Sequence, residues 1–189
     1  MLSLSLENRL QSLLWMGLMG LCDILDGAVA KRSKRATPFG AFLDSTTDRL
    51  TEGLVFLGVL IFFYRRRDLW LFLLTYAALI GSYLVSYTRA RGENFIESCK
   101  VGFWERPERL CLLMLGTALD RLKIALWLIA AGSFLTALHR LLHQKATLQK
   151  TKLSQRGVWS FLFWPYPRFS TPYLLYALTV ILLVLFIQP

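Results

Sequence analysis

Acidic side chains are scarce in this chain of 189 residues, with 12 Asp and Glu against 22 Lys and Arg, and there are only three cysteines and two histidines. Cys22, Cys99 and Cys111 are odd in number and lack metal-ligand spacing, which argues against a disulfide framework and a thiolate zinc site. Cys22 stands beside Asp23 and reads as a small apolar helix residue rather than a soft ligand. His139 and His143, four apart, read as an interfacial helix end rather than a pair of metal ligands. Signal-peptide character is also missing, because Glu7, Asn8 and Arg9 occupy the place of a basic stretch leading into a cleavable apolar region. No internal repeat or low-complexity segment is present.

Apolar residues are abundant. They make up 55% of the chain, and the mean hydropathy is +0.46, unusual for a soluble domain. They fall into runs, and residues 69–88 contain no acidic or basic side chain, enough to cross a bilayer core of roughly 30 Å. The pattern predicts an all-α polytopic membrane bundle of five or six transmembrane helices, near 11–30, 40–64, 69–88, 106–119, 122–142 and 172–188. The connecting segments then alternate sides. Those around 31–35, 89–109 and 140–168 carry most of the Lys and Arg, so the positive-inside rule places them in the cytoplasm. Arg65, Arg66 and Arg67 run against the rule and are expected to snorkel to headgroups. A net charge of +10 distributed in this way speaks for a membrane and against nucleic acid as partner.

The few acids are concentrated where lipid is expected. Residues 21–50 read LCDILDGAVAKRSKRATPFGAFLDSTTDRL. Asp23 and Asp26 are three apart and Asp44 and Asp48 four apart, so each pair shares a helix face. Between them lies a short basic loop ended by Pro38, which outlines a helical hairpin with two acidic faces. Four carboxylates at membrane depth cost on the order of 10 kcal/mol, and cations must offset this. The loop lysines and arginines reach water and need no partner, whereas four converging oxygen donors suit hard divalent cations such as Mg²⁺, Mn²⁺ or Ca²⁺. Two ions sharing carboxylates match the arrangement that clamps a phosphoryl centre. Gly27, Ala30 and Gly40, small residues within a turn of these acids, leave the backbone open to a flat base or a diphosphate. Close helix packing through small residues is the plainer explanation of each taken singly.

The spacing Asp23, Asp26, Gly27, Ala30, Lys31, then Gly40, Asp44 and Asp48 resembles the signature D-x2-D-G-x2-A-R-x8-G-x3-D-x3-D of the CDP-alcohol phosphatidyltransferases. It departs at one position, where Lys31 replaces an arginine and lacks the bidentate fork. The resemblance implies an integral membrane enzyme that moves a phosphatidyl-type group from a CDP-linked lipid to an alcohol and releases CMP. It implies two Mg²⁺ or Mn²⁺ ions held by Asp23, Asp26, Asp44 and Asp48, with Asp48 also taking the proton of the acceptor hydroxyl. Gly27, Ala30, Lys31, Thr37 and Gly40 would line the CDP-alcohol. It also implies a homodimer and a site facing the cytoplasm from the plasma membrane.

Ser86–Glu93 reads SYTRARGE and residues 102–110 read GFWERPERL. Both are similar to segments of the branch that makes phosphatidylinositol phosphate or its archaeal ether-lipid analogue. Arg89, Arg91, Arg106 and Arg109 are accordingly expected to cradle an acceptor phosphate, that of inositol phosphate, the alternatives being interfacial anchoring of the arginines and a glycerol-phosphate acceptor. Only 22 residues precede Asp23, where the family has a full span preceded by an amphipathic segment. The expectation is a family-like membrane domain over residues 1–157 with its first span short or missing. Residues 158–189 would then add an aromatic interfacial segment and an extra transmembrane helix that fills the vacated groove. Two rival readings remain at this level, a divalent-cation transporter and a catalytically impaired relative.

Overall fold

The computed structural model describes residues 6–32, 37–96, 99, 101–149 and 170–186, and in the first helix the side chains of 10–22 and 25 only. Among these residues all regular structure is helical, in the order α1 (Leu6–Arg32), α2 (Pro38–Arg65), α3 (Leu69–Gly92), α4 (Arg106–Ala118), α5 (Leu122–Leu148) and α6 (Thr171–Phe186). Each expected span has its helix, and several run further than the apolar pattern indicated. The extra turns are polar. α3 continues through Arg89 and Arg91, and α5 continues past His143 to Leu148, because hydrophobicity marks the lipid-facing length whereas the backbone ladder continues as long as the chain can sustain it.

Local chemistry sets the ends. Pro38 stands in the first turn of α2, where its missing N–H costs nothing, and the Thr37 hydroxyl accepts from the Gly40 N–H at 3.0 Å. Asp68 caps α3 by accepting from the Leu71 N–H at 3.0 Å. The turn before it carries Arg67 at φ 54°, and the Arg66 guanidinium lies over the Phe62 ring, 4.2 Å from its centroid. These arginines form the tight α2–α3 connection.

The most extensive packing is between α3 and α5, followed by α2 on α3 and α4 on α5, with α1 and α6 both against α4. Phe56, Ala78, Leu113, Leu126 and Ile129 form the apolar core. Polar side chains are buried beside them, including Glu52, Ser82, Thr88, Arg109, Ser133, Thr136 and Arg140, while Leu54, Leu57, Ile61, Trp70, Leu73, Trp127, Phe134 and Leu138 are exposed. Polar groups inside and large apolar groups outside is the arrangement a lipid solvent favours and water does not. By length and apolarity α3 and α5 are each sufficient to cross a bilayer, and α6 is a shorter apolar helix.

The connection between α3 and α4 is held against α5. Gly102 has φ +97°, and a Cβ there would collide with the Thr136 side chain; a Cβ on Gly132 would collide with the Trp104 indole. These two glycines let the connection lie close to α5.

Candidate active site

A four-residue period along α2 brings Asp44, Asp48 and Glu52 onto one face. Burial deepens along it. Asp44 is exposed, the Asp48 side chain is 20% exposed and that of Glu52 is 0% exposed. α4 supplies the opposing cations three residues apart. Arg106 pairs with Asp48 and donates to the Thr51 hydroxyl at 3.0 Å. Arg109, 1% exposed, sits 2.7 Å from Glu52 Oε1 through Nη2 and donates to it from Nε at 2.8 Å, while its Nη1 donates to the Trp104 carbonyl at 2.8 Å. Arg49 closes the inner end, with Nη1 3.3 Å from Glu52 Oε2 and a further bond to the Ser86 hydroxyl.

The result is two rungs between α2 and α4. The inner Glu52–Arg109 rung is fully desolvated and joins the helices. Removing one partner of such a pair strands a buried charge at a cost of roughly 3–5 kcal/mol. The outer Asp48–Arg106 rung is only partly buried.

A third set of charges meets where α3, α4 and α5 converge. Arg89 donates from Nε to Glu93 at 3.0 Å and from Nη1 to Glu105 at 3.2 Å. Arg140 of α5 donates to the same Glu105 oxygen at 3.1 Å and to the carbonyls of Val101 and Val85. The adjacent residues Glu105 and Arg106 thus hold Arg89 and Asp48 respectively.

The four arginines expected around an acceptor phosphate occupy distinct surroundings. Arg89 is half-buried between two glutamates, Arg91 is exposed with its guanidinium 5.2 Å from the Phe95 ring centroid, Arg106 is on the outer rung and Arg109 on the inner. The Thr37 hydroxyl and Gly40, expected near the CDP-alcohol, form the α2 cap, and both residues are exposed. Asp23, Asp26, Gly27, Ala30 and Lys31 belong to α1 by backbone, but their side chains lie outside the described residues. Among the described residues no group of three or more His, Cys, Asp and Glu gathers in a manner that would hold a metal ion. His139 and His143 lie within α5, ring centroids 6.4 Å apart, and the three cysteines are free.

The available donors fit a hard cation. Asp44 and Asp48 offer carboxylate oxygens one turn apart at a solvent-facing edge, the ligand type that Mg²⁺ and Mn²⁺ prefer. Glu52, Glu105, Arg49 and Arg140 are the site-supporting residues that sequence reasoning missed. Glu52 was findable, since it continues the four-residue series of Asp44 and Asp48. Glu105 and Arg140 carry no such signal, because their partners are distant in sequence.

A family model described as CDP-alcohol phosphatidyltransferase matches residues 1–188. The chain is 32% identical over 145 residues to the archaetidylinositol phosphate synthase of Pyrococcus horikoshii, covering 76% of this chain and 74% of that one. It is also similar to two crystal structures of the phosphatidylinositol phosphate synthase of Mycobacterium tuberculosis, both at 36% identity. One, with CDP-DAG bound, has a TM-score of 0.63 and covers 69% of this chain and 70% of that chain. The other, in complex with manganese and citrate, has a TM-score of 0.64 and covers 68% and 66%.

Proposed function

The chain belongs to the CDP-alcohol phosphatidyltransferase family, and from that premise we propose that it transfers a phosphatidyl-type group from a CDP-linked lipid to inositol phosphate, releasing CMP. The observation that carries this reading is the motif helix α2, whose Asp48 is held by Arg106 of α4 next to the Glu105 that holds Arg89. An oxygen base and a phosphate-binding guanidinium are thereby tied to one short stretch of chain. The synthases of the two similar proteins, one an archaetidylinositol phosphate and one a phosphatidylinositol phosphate synthase, support the acceptor.

In this reading the acceptor phosphate meets Arg89 and Arg91, and its hydroxyl approaches Asp48. Asp48 takes the hydroxyl proton, the acceptor oxygen forms a bond to the phosphorus that carries the lipid, and the bond from that phosphorus to CMP breaks. Arg106 orients the Asp48 carboxylate. Gly27, Ala30 and Gly40 admit the nucleotide, and Lys31 supplies a point charge to its diphosphate. Asp23, Asp26, Asp44 and Asp48 would hold Mg²⁺ or Mn²⁺, two ions in this proposal, which supply positive charge to the diphosphate and the leaving CMP. The manganese in the similar mycobacterial protein supports a divalent cation.

The proposal includes five or six spans in the plasma membrane, a site open to the cytoplasm where the basic connections gather, and a homodimer. It also includes the division at residue 157, with α6 filling a groove along α4. In support, Tyr173 donates to Glu108 at 2.8 Å and Tyr176 packs edge-on against Phe103. Deletion of residues 158–189 is expected to lower the thermal midpoint in detergent and to reduce turnover; a stable, active truncated protein overturns the groove-filling role.

The decisive assay combines purified protein, Mg²⁺ or Mn²⁺, CDP-diacylglycerol and a panel of alcohols, scored for CMP. Release dependent on inositol phosphate is expected. Release with glycerol phosphate alone reassigns the acceptor, and no release with any alcohol overturns the proposal.

A further inference from the structure

We infer that Glu105 is a positioning residue that presets the Arg89 guanidinium for the phosphate of the acceptor, with Arg140 as its fixed anchor. The inference rests on the acceptor reading above and deepens it. Arg140 is 1% exposed, and each of its three guanidinium nitrogens is engaged, with Val101, Val85 and Glu105. A guanidinium held in that manner inside the fold has no rotational freedom to lose, so it fixes the Glu105 oxygen that it contacts. That oxygen also accepts from Arg89, whose side chain is 35% exposed and projects from the last turn of α3. Glu93, one turn on, takes Arg89 Nε. Two carboxylates therefore set the plane of one long side chain, and its other Nη is outside both contacts.

The alternative role for Glu105 is to dilute positive charge. The two acids and two arginines of this cluster balance, so a phosphate arriving at Arg89 is recognised by donors already aimed rather than by surplus charge. An unrestrained arginine loses its rotamer freedom when it binds, and restraint beforehand removes that cost. The two roles predict opposite signs. If Glu105 positions Arg89, its loss weakens acceptor binding; if it dilutes charge, its loss strengthens it.

The test is a double-mutant cycle in the purified full chain with Glu105→Ala, Glu105→Gln, Arg89→Ala and the double Glu105→Ala/Arg89→Ala. The readouts are the KM for inositol phosphate, the KM for CDP-diacylglycerol and the thermal midpoint. Glu105→Ala is expected to raise the acceptor KM about tenfold, the ordering cost of one long side chain, with the CDP-diacylglycerol KM within about twofold. Glu105→Gln retains an accepting oxygen and is expected to recover most of the loss. The double variant is expected to be no worse than Arg89→Ala, because Glu105 acts through it. A lowered acceptor KM, an equal rise in both KM values, or additive effects in the double variant overturns the inference. If Glu105→Ala does not fold, the cycle runs on Glu105→Gln, where a raised acceptor KM that vanishes in the Arg89→Ala background supports it and additivity overturns it. If wild type uses glycerol phosphate instead, the acceptor reading fails and the same cycle with that substrate decides the positioning role. If wild type releases CMP with neither, the acceptor reading fails separately, and calorimetric titration of inositol phosphate into wild type and Glu105→Ala decides: weaker binding by the variant supports the inference, and equal or absent binding overturns it.

Discussion

Asp48 and Gly132 illustrate two ways in which a single side chain matters, one through the oxygen proposed as the base for the acceptor hydroxyl and the other through lacking a side chain. Replacing Asp48 by Asn keeps the size and removes the basic oxygen that Arg106 orients. CMP release is expected to fall by about 10²–10⁴-fold, the usual contribution of a positioned base, with the thermal midpoint close to wild type. A variant retaining more than a tenth of the activity removes Asp48 from that role. Gly132→Ala puts a methyl group against the Trp104 indole, an overpacking expected to cost roughly 1–3 kcal/mol, read as a lowered thermal midpoint in the same detergent. At this scale the sequence was informative wherever function imposes a spacing. Asp44 and Asp48 announced themselves by being acidic, periodic and close to an apolar run, and the structure has them on one face of α2. The positions of Gly102 and Gly132 were silent, because what they avoid, Thr136 and Trp104, is specified only after α3, α4 and α5 have packed.

Between elements, the most deeply buried ion pair among the described residues is Glu52 with Arg109. Glu52→Gln leaves the Arg109 charge inside the fold without its counter-ion, at an expected cost of roughly 3–5 kcal/mol. The double replacement Glu52→Leu/Arg109→Leu is expected to recover much of that stability, since removing both charges also removes their desolvation. Thermal midpoints of the two variants check this, and a double variant no better than the single one shows that the pair contributes a favourable link beyond mutual neutralisation. The helices themselves were legible from apolar runs: the expected starts at 69, 106 and 122 coincide with those of α3, α4 and α5. Their pairing was not, since α2 meets α4 through charges that the sequence separates by more than fifty residues. Arg109 shows the difficulty. From its place in a segment similar to the phosphatidylinositol phosphate branch it was expected at a phosphate, yet its guanidinium is directed into the fold toward Glu52, a partner that local composition does not reveal.

Across the whole molecule, metal dependence and folding are expected to separate. The links described above, Glu52 with Arg109, Glu105 with Arg140 and Tyr173 with Glu108, join helices directly through protein atoms. Treatment with EDTA is therefore expected to abolish CMP release, and excess Mg²⁺ or Mn²⁺ to restore it, while the thermal midpoint changes by only a few degrees, on the scale of about 1 kcal/mol. A collapse of the midpoint on chelation would make the cation part of the fold. The side chains of Asp23 and Asp26 lie outside the described residues, so their convergence with Asp44 and Asp48 belongs to the proposal.

The helices also differ in reach. α3 and α5, with 24 and 27 residues, rise about 36 and 40 Å, whereas α4 and α6, with 13 and 16, rise only about 20 and 24 Å. A bilayer accommodates helices shorter than its hydrocarbon core of roughly 30 Å by thinning around them. A bilayer around the protein is therefore expected to be thinner along the flank of α4 and α6 than along that of α3 and α5, and turnover to be higher in short-chain than in long-chain lipid.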